Sequence, residues 1–238
     1  MLSKNKAIVL SKVKYNDNDL ILKCYTAERG LISYLVRGAY SSKSKSGKMG
    51  YFQVLSQLQI EEDFKPNRSL QYIREIKSLF IYNSLQTNLH KSSLAMFLAE
   101  VLTSALKEES KNEDLFNYIS GSLDYLDHET EVANFHLMFL LQLTKYLGFY
   151  PELPQETTTY FDLESGLFTN QAALYTIEGL QVELLQQLLK MPFEAYPQIK
   201  LNAQGRVAFL NVLLLYFELQ LGYFKKPKSV EVLNQVWH

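Results

Sequence analysis

Lys6-Ala7-Ile8-Val9-Leu10-Ser11-Lys12-Val13 and Leu20-Ile21-Leu22-Lys23-Cys24-Tyr25, separated by Asn16-Asp17-Asn18-Asp19, decide the fold of this chain. Both runs are rich in β-branched and large apolar residues, and the segment between them is a cluster of turn formers, so the pair reads as a β-hairpin. Glu28-Arg29-Gly30 follows as a second turn, with a glycine where a positive φ is needed, and leads into a third strand, Leu31-Ile32-Ser33-Tyr34-Leu35-Val36-Arg37. Further on, Val54, Ser56, Leu58 and Ile60 alternate with Leu55, Gln57, Gln59 and Glu61. That period of two is the pattern of a half-buried strand. Lys65-Pro66-Asn67-Arg68 then turns the chain into a fifth strand, from Ser69 to Ile73 or slightly beyond. Five short strands with no long helix among them predict a small antiparallel barrel of the OB-fold type over residues 1–80.

From Asn83 onward the periodicity becomes helical. Leu85, Leu89, Leu94, Phe97, Leu98, Val101, Leu102 and Leu106 recur at three- and four-residue steps and predict one amphipathic helix or two abutting ones. Ser110-Lys111-Asn112-Glu113 has the form of a capping box and predicts a second helix through Phe116, Ile119, Leu123 and Leu126. A third, over about 131–147, is closed by Gly148 and Pro151. Residues 155–168 predict a small β-hairpin or irregular insertion that turns at 164–166. Helices then resume over about 178–190, 203–221 and 230–236, with Thr176, Asn202 and Ser229 as caps. The expected architecture is α+β and multi-domain: a barrel at 1–80, then a helical domain at 81–238 with an insertion near 152–175.

The chain has 238 residues, 47% of them hydrophobic, and carries 24 Lys+Arg against 25 Asp+Glu. The neutral total hides an asymmetry. Residues 1–80 hold 14 basic and 7 acidic side chains, a surplus of +7, and the remainder hold 10 and 18, a deficit of −8. Opposite signs in the two parts favour a nucleic-acid or partner-protein surface. The single cysteine, Cys24, excludes a disulfide within the chain and a multi-thiolate metal cluster. The N-terminal apolar run is too short for a signal-peptide core, and the apolar stretch 207–221 is too short and too polar to span a bilayer. A cytoplasmic protein without membrane contact is expected.

The chemistry concentrates on the basic strands and the Ser/Gly/Lys loop 38–50, which contains three lysines and no acid. Lys6, Lys12, Arg37, Lys43, Lys45, Lys48, Arg68 and Arg74 are the candidates for neutralising phosphates. Tyr34, Tyr40, Tyr51 and Tyr72 are candidate stacking platforms, although each taken singly fits a half-buried strand. Near the C-terminus Phe209, Leu213 and Phe217, with Arg206, Lys225 and Lys226, form a candidate pocket for a peptide bearing apolar side chains and a carboxylate. A core helix with solvated lysines explains them equally well. No catalytic constellation is found. Gly47-Lys48 lacks the rest of a phosphate-binding loop, and the four histidines are scattered. His136 stands among Val132, Phe139, Leu140 and Leu143 as a core residue. Cys24 is mid-strand, and Glu61, Glu62 and Asp63 are placed on an exposed edge. No cofactor or metal is expected.

The order of Lys6 to Leu10, Tyr15 through Asp19-Leu20-Ile21-Leu22, Tyr25-Thr26, Gly30-Leu31-Ile32-Ser33 and Val36-Arg37-Gly38-Ala39, then a Ser/Lys loop, resembles the N-terminal OB domain of bacterial RecO recombination-mediator proteins. Leu147-Gly148-Phe149-Tyr150-Pro151 and Arg206 with Leu210, Leu213, Leu214, Tyr216 and Phe217, followed by Ser229, Val232 and Leu233, extend the resemblance over nearly the whole chain. It implies a non-enzymatic, nucleoid-associated DNA repair protein. Such a protein binds single- and double-stranded DNA, anneals complementary strands, contacts the acidic C-terminal tail of single-strand-binding protein, and acts with RecR to load RecA. Many members carry a four-cysteine zinc site after the Pro151 equivalent; residues 155–168 contain no cysteine, so a zinc-free variant is expected. The competing readings are a protein-interaction adaptor and an RNA-binding OB protein.

Overall fold

The computed structural model describes residues 2–40, 48–107 and 111–237, with residues 48 and 49 by their backbone alone. Five strands, β1 (Leu2–Tyr15), β2 (Asp19–Thr26), β3 (Gly30–Val36), β4 (Gln57–Asp63) and β5 (Gln71–Ser78), close into a barrel in the order β1-β2-β3-β5-β4. The long β1 serves two neighbours: it pairs with β4 from Leu2 to Ile8 and with β2 from Ala7 to Tyr15, and a bulge between Val9 and Ser11 bends it from one to the other. The period of two turns Val9, Leu20, Leu22, Cys24, Leu58 and Ile60 inward to form the barrel core. Strands β3 and β5 run parallel and meet only at Tyr34 with Gln71 and Leu35 with Tyr72.

Several strand boundaries differ from the sequence reading. β1 is longer at both ends than 6–13, because β4 offers partners back to Leu2 and β2 out to Tyr15. β4 begins at Gln57, because Leu55 is buried in a left-handed conformation (φ 63) that interrupts the alternation. Its N–H donates to Val9 O (2.7 Å) and its carbonyl accepts the Tyr82 hydroxyl (2.9 Å), which hold it there. β5 runs on to Ser78, because β4 offers partners as far as Leu58.

Glu62 corrects the placement of 61–63 on an exposed edge: its side chain is fully buried. It accepts from Tyr34 Oη (2.7 Å), Asn5 Nδ2 (3.1 Å), Ser3 Oγ (3.4 Å) and Arg29 Nε (3.3 Å). Arg29 in turn lies over the Phe64 ring, 4.1 Å from its centre. A carboxylate removed from water is tolerable only when donors and a countercharge surround it.

Helices α1 (Leu89–Ala105) and α2 (Glu113–His128) belong to the barrel's compact unit, which comprises residues 1–128 with 227–230. The division into compact units therefore falls later in the chain than the change from strands to helices at residue 80. Tyr25 stacks with Phe116, and Gln57 Oε1 accepts the Ser120 hydroxyl at 2.5 Å. The exit from the barrel is tied down by Asp127. Its carboxylate accepts the N–H groups of Asn83 (2.8 Å), Ser84 (2.8 Å) and Leu85 (2.7 Å), and buried Lys91 donates to the Asp127 carbonyl at 2.7 Å. α1 starts at Leu89, capped by Asn88, and α2 is capped by Asn112, which accepts Leu115 N–H at 3.0 Å. Of the expected capping box, Ser110 lies outside the described residues.

The second compact unit comprises residues 129–226 with 231–238. α3 (Phe135–Leu147) is buried on almost every side and ends at Gly148, left-handed at φ 86. The insertion has three strands in the order β7-β6-β8: β6 (Tyr160–Asp162), β7 (Leu167–Thr169) and β8 (Thr176–Glu178). Thr176 is thus a strand residue and not a helix cap; α4 (Leu180–Lys190) follows Gly179. α5 (Ala203–Leu221) is capped by Asn202, which accepts Gly205 N–H at 2.7 Å. The last helix is α6 (Val230–Val236). Ser229 precedes it without capping it: its hydroxyl is buried with no hydrogen-bond partner among the described residues, and its N–H goes to Glu100 (3.0 Å).

Tyr34→Phe leaves the buried Glu62 carboxylate one donor short and is expected to cost about 1–3 kcal/mol in urea unfolding. Asp127 provides a pH test. Burial raises its pKa, but the amides of Asn83, Ser84 and Leu85 and the Ser84 hydroxyl outweigh that and hold it below its ordinary value. A depressed pKa stabilises the fold fully above the unfolded value, and the gain is lost as pH falls through the folded value. The stability advantage of the wild type over Asp127→Asn should therefore shrink between about pH 5 and about pH 3.

Candidate nucleic-acid interface

Beyond Leu35 and Tyr72 the strands β3 and β5 pair no further, and a groove of about 880 Å³ occupies the opening. Arg37, Arg68 and Arg74 line it with Tyr51 and Tyr72, together with Asp63 and Glu75. Strand parity puts these groups there. Gln71 points inward, where its amide donates to the Lys65 and Arg68 carbonyls (both 2.8 Å) and its oxygen accepts Lys65 N–H (2.9 Å), so it shapes the β4–β5 turn that carries Arg68. Tyr72, the next residue, must then face outward. Arg37 is set by the chain just after it: Gly38 N–H donates to Asp19 Oδ1 (2.9 Å) and Tyr40 N–H to Asn18 O (3.0 Å).

Tyr72 is the centre of the site. The guanidinium carbons of Arg37 and Arg68 lie 5.0 and 5.1 Å from its ring centre, and Arg37 Nη2 donates to its hydroxyl at 3.4 Å. Asp63 draws Arg68 and Arg74 toward the same wall, at 3.7 and 3.8 Å. Planar guanidinium groups beside an aromatic ring suit a chain that alternates phosphates and bases.

Of the residues singled out from sequence, Arg37, Arg68, Arg74 and Tyr51 converge on this groove, and Tyr72 gains a larger part than it had. Lys6 and Lys12 stand on β1, opposite Gln59 and Leu22, and are not among the groove residues. Tyr40 is exposed beside Lys14, whose Nζ lies 5.7 Å from the ring centre. Lys43 and Lys45 fall outside the described residues, and Lys48 is described only as the start of the 3-10 turn Lys48–Phe52. Tyr34 is corrected: it is fully buried and donates to Glu62, so no base can reach its ring. The signal that separates Tyr34 from Tyr72 is register, which appears only when the strands are paired.

The peptide pocket read near the C-terminus is corrected as well. Phe209, Leu213 and Phe217 are buried, and Phe217 packs on Phe149 and Phe224, so these side chains are core. Arg206 donates to Asn134 Oδ1 (3.2 Å) and lies over Trp237, while Lys225 and Lys226 are exposed, the latter donating to Asn211 (2.9 Å). Burial pushes the Cys24 thiol up to about 12, and burial with the nearby Arg206 charge pushes His136 down to about 3.

The recombination protein O N-terminal family matches residues 1–82, and the recombination protein O C-terminal family matches residues 86–229. The chain belongs to the RecO family. Proteins named DNA repair protein RecO are 42% identical over 238 residues in Christiangramia forsetii, 39% over 237 in Flavobacterium johnsoniae and 36% over 242 in Bacteroides fragilis, in each case across all of both chains. This RecO-family chain therefore has its role in DNA repair and recombination. A four-cysteine zinc site does not fit it. Where that site would lie, β6–β8 are held by Phe161 against Phe168 and Tyr216, and by Gln220 Nε2 donating to the Leu163 and Glu164 carbonyls (both 2.9 Å). Gly166 (φ 72) closes the β6–β7 turn, where a Cβ would come within 2.9 Å of the Tyr216 hydroxyl.

Asp63→Asn releases Arg68 and Arg74 from their ion pairs; were the groove to take single-stranded DNA, binding should tighten several-fold. That corresponds to roughly 1 kcal/mol or less for solvated pairs, and a fluorescence-anisotropy titration would measure it.

Proposed function

We propose that the chain is a non-enzymatic, DNA-binding recombination mediator whose barrel groove takes single-stranded DNA. The observation that carries this reading is Tyr72 flanked by Arg37 and Arg68 in a groove open along the barrel wall. Arg37 and Arg68 swing from over the Tyr72 ring to meet the phosphates on either side, and a base takes their place on the ring; no base edge is read, so sequence preference is weak. The lysines of the 43–48 loop extend the phosphate contacts, and duplex DNA is bound through the same charges. To that reading we add the further steps the resemblance implies: annealing of complementary strands, contact with the acidic C-terminal tail of single-strand-binding protein, and action with RecR to load RecA. A cytoplasmic, nucleoid-associated location belongs to the same proposal. Among the described residues no helix is long and apolar enough to cross a membrane.

Two measurements test the reading. Tyr72→Ala should weaken binding of single-stranded DNA by about 1–3 kcal/mol, with single-stranded RNA and duplex titrated alongside to establish preference. Replacing Lys43, Lys45 and Lys48 together by Ala should lower the salt slope of single-strand binding by about 0.7 for each contact removed. An unchanged affinity for the first variant, or an unchanged slope for the second, removes the groove or the loop from the interface. Annealing of strands pre-coated with single-strand-binding protein tests the mediator role directly.

A further inference from the structure

A second groove, of about 760 Å³, lies on the other flank of the β4–β5 loop, and Arg68 lines both. Its charged lining is Lys23 from β2, Arg29 from the β2–β3 turn, Arg68, and Lys107 from the end of α1, with Glu28 as the acid. Glu28 is engaged by Lys111 at 3.2 Å. Arg29 is held in place by Glu62 and by Phe64, so its guanidinium is presented at a fixed position. The uncharged wall is hydroxyl-rich: Ser104 lines it beside Thr103, whose Oγ1 is shielded from water with no hydrogen-bond partner among the described residues.

We infer that this second groove holds a second DNA strand, so that one barrel carries two strands side by side across Arg68. The inference rests on the reading of the first groove. An acidic peptide finds little apolar anchorage: Leu31, Ile32 and Leu106 are buried and the Phe64 ring is covered by Arg29, which leaves Pro66 as the exposed apolar residue of the lining. Guanidinium, ammonium and hydroxyl donors are instead the groups that meet phosphate and sugar oxygens without reading sequence. The arrangement answers a physical problem. Two complementary strands repel each other as polyanions until they pair; a protein that neutralises the phosphates of one strand lowers that repulsion, and one that holds both strands also brings them together. A shared arginine between two basic grooves screens that repulsion where the backbones come closest.

The test is the stoichiometry of the full chain with labelled oligonucleotides of roughly 12 nucleotides, within the site size of one OB fold, at low salt and at protein concentrations well above Kd. Two non-complementary strands per wild-type chain are expected, falling to one in Lys23→Gln/Lys107→Gln. Annealing by that variant should slow about tenfold while its affinity for a first strand stays within about threefold of wild type. One strand per wild-type chain at saturation overturns the inference, as does a double variant that still binds two or anneals at the wild-type rate. Because the wild-type count needs no variant, misfolding cannot mask the result. Failure of the first-groove reading is distinguishable, since it appears as unchanged binding by Tyr72→Ala in the same titration.

Discussion

The carboxylate of Glu62, closed inside the barrel, is the constraint on which the rest of this structure turns. It is reached by Asn5 and Ser3 from β1, Tyr34 from β3 and Arg29 from the β2–β3 turn, so four segments must be in register for the charge to be satisfied. A slip of β4 by one residue exchanges the faces of every side chain on it, leaving those donors without Glu62 and exposing Leu58 and Ile60. The interior of a small barrel strengthens the penalty, because an unmatched charge there has no water to fall back on.

The same register builds the surface. With Glu62 inside, Asp63 must face out, where it draws on Arg68 and Arg74; with Gln71 inside, Tyr72 must face out between Arg37 and Arg68. Arg29 joins core to surface directly, since the Nε that satisfies Glu62 also fixes the guanidinium on the second groove. Barrel stability and the geometry of the basic surface thus have a common origin.

Charge is arranged on a coarser scale to match. The basic surplus of residues 1–80 sets up a field that attracts polyanions, and the candidate groove adds a few arginines beside an aromatic ring. In the second compact unit aromatic rings are spent on packing. Phe149, Phe161, Tyr216 and Phe217 meet mostly edge to face, and the β6–β8 sheet is held by such contacts where other ways of fastening an insertion rely on metal.

Much of this was legible in the residues alone. Alternation in 1–80 and the three- and four-residue steps after Asn83 determine strands and helices, the caps at Asn202 and Gly148 stand in the sequence, and the charge asymmetry with the order of motifs points to the family and to DNA. These are local properties, set by the period of the backbone and by composition. Which tyrosine is core and which lines the groove was decided elsewhere: Tyr34 and Tyr72 are alike in sequence, and only the pairing of β3 with β5 turns one inward and the other out. The burial of Glu62, the left-handed Leu55 that delays β4, the third strand of the insertion and the burial of Phe209, Leu213 and Phe217 are of the same kind. Each depends on what a distant segment places opposite the residue, and a local pattern of apolar and polar side chains carries no record of that partner.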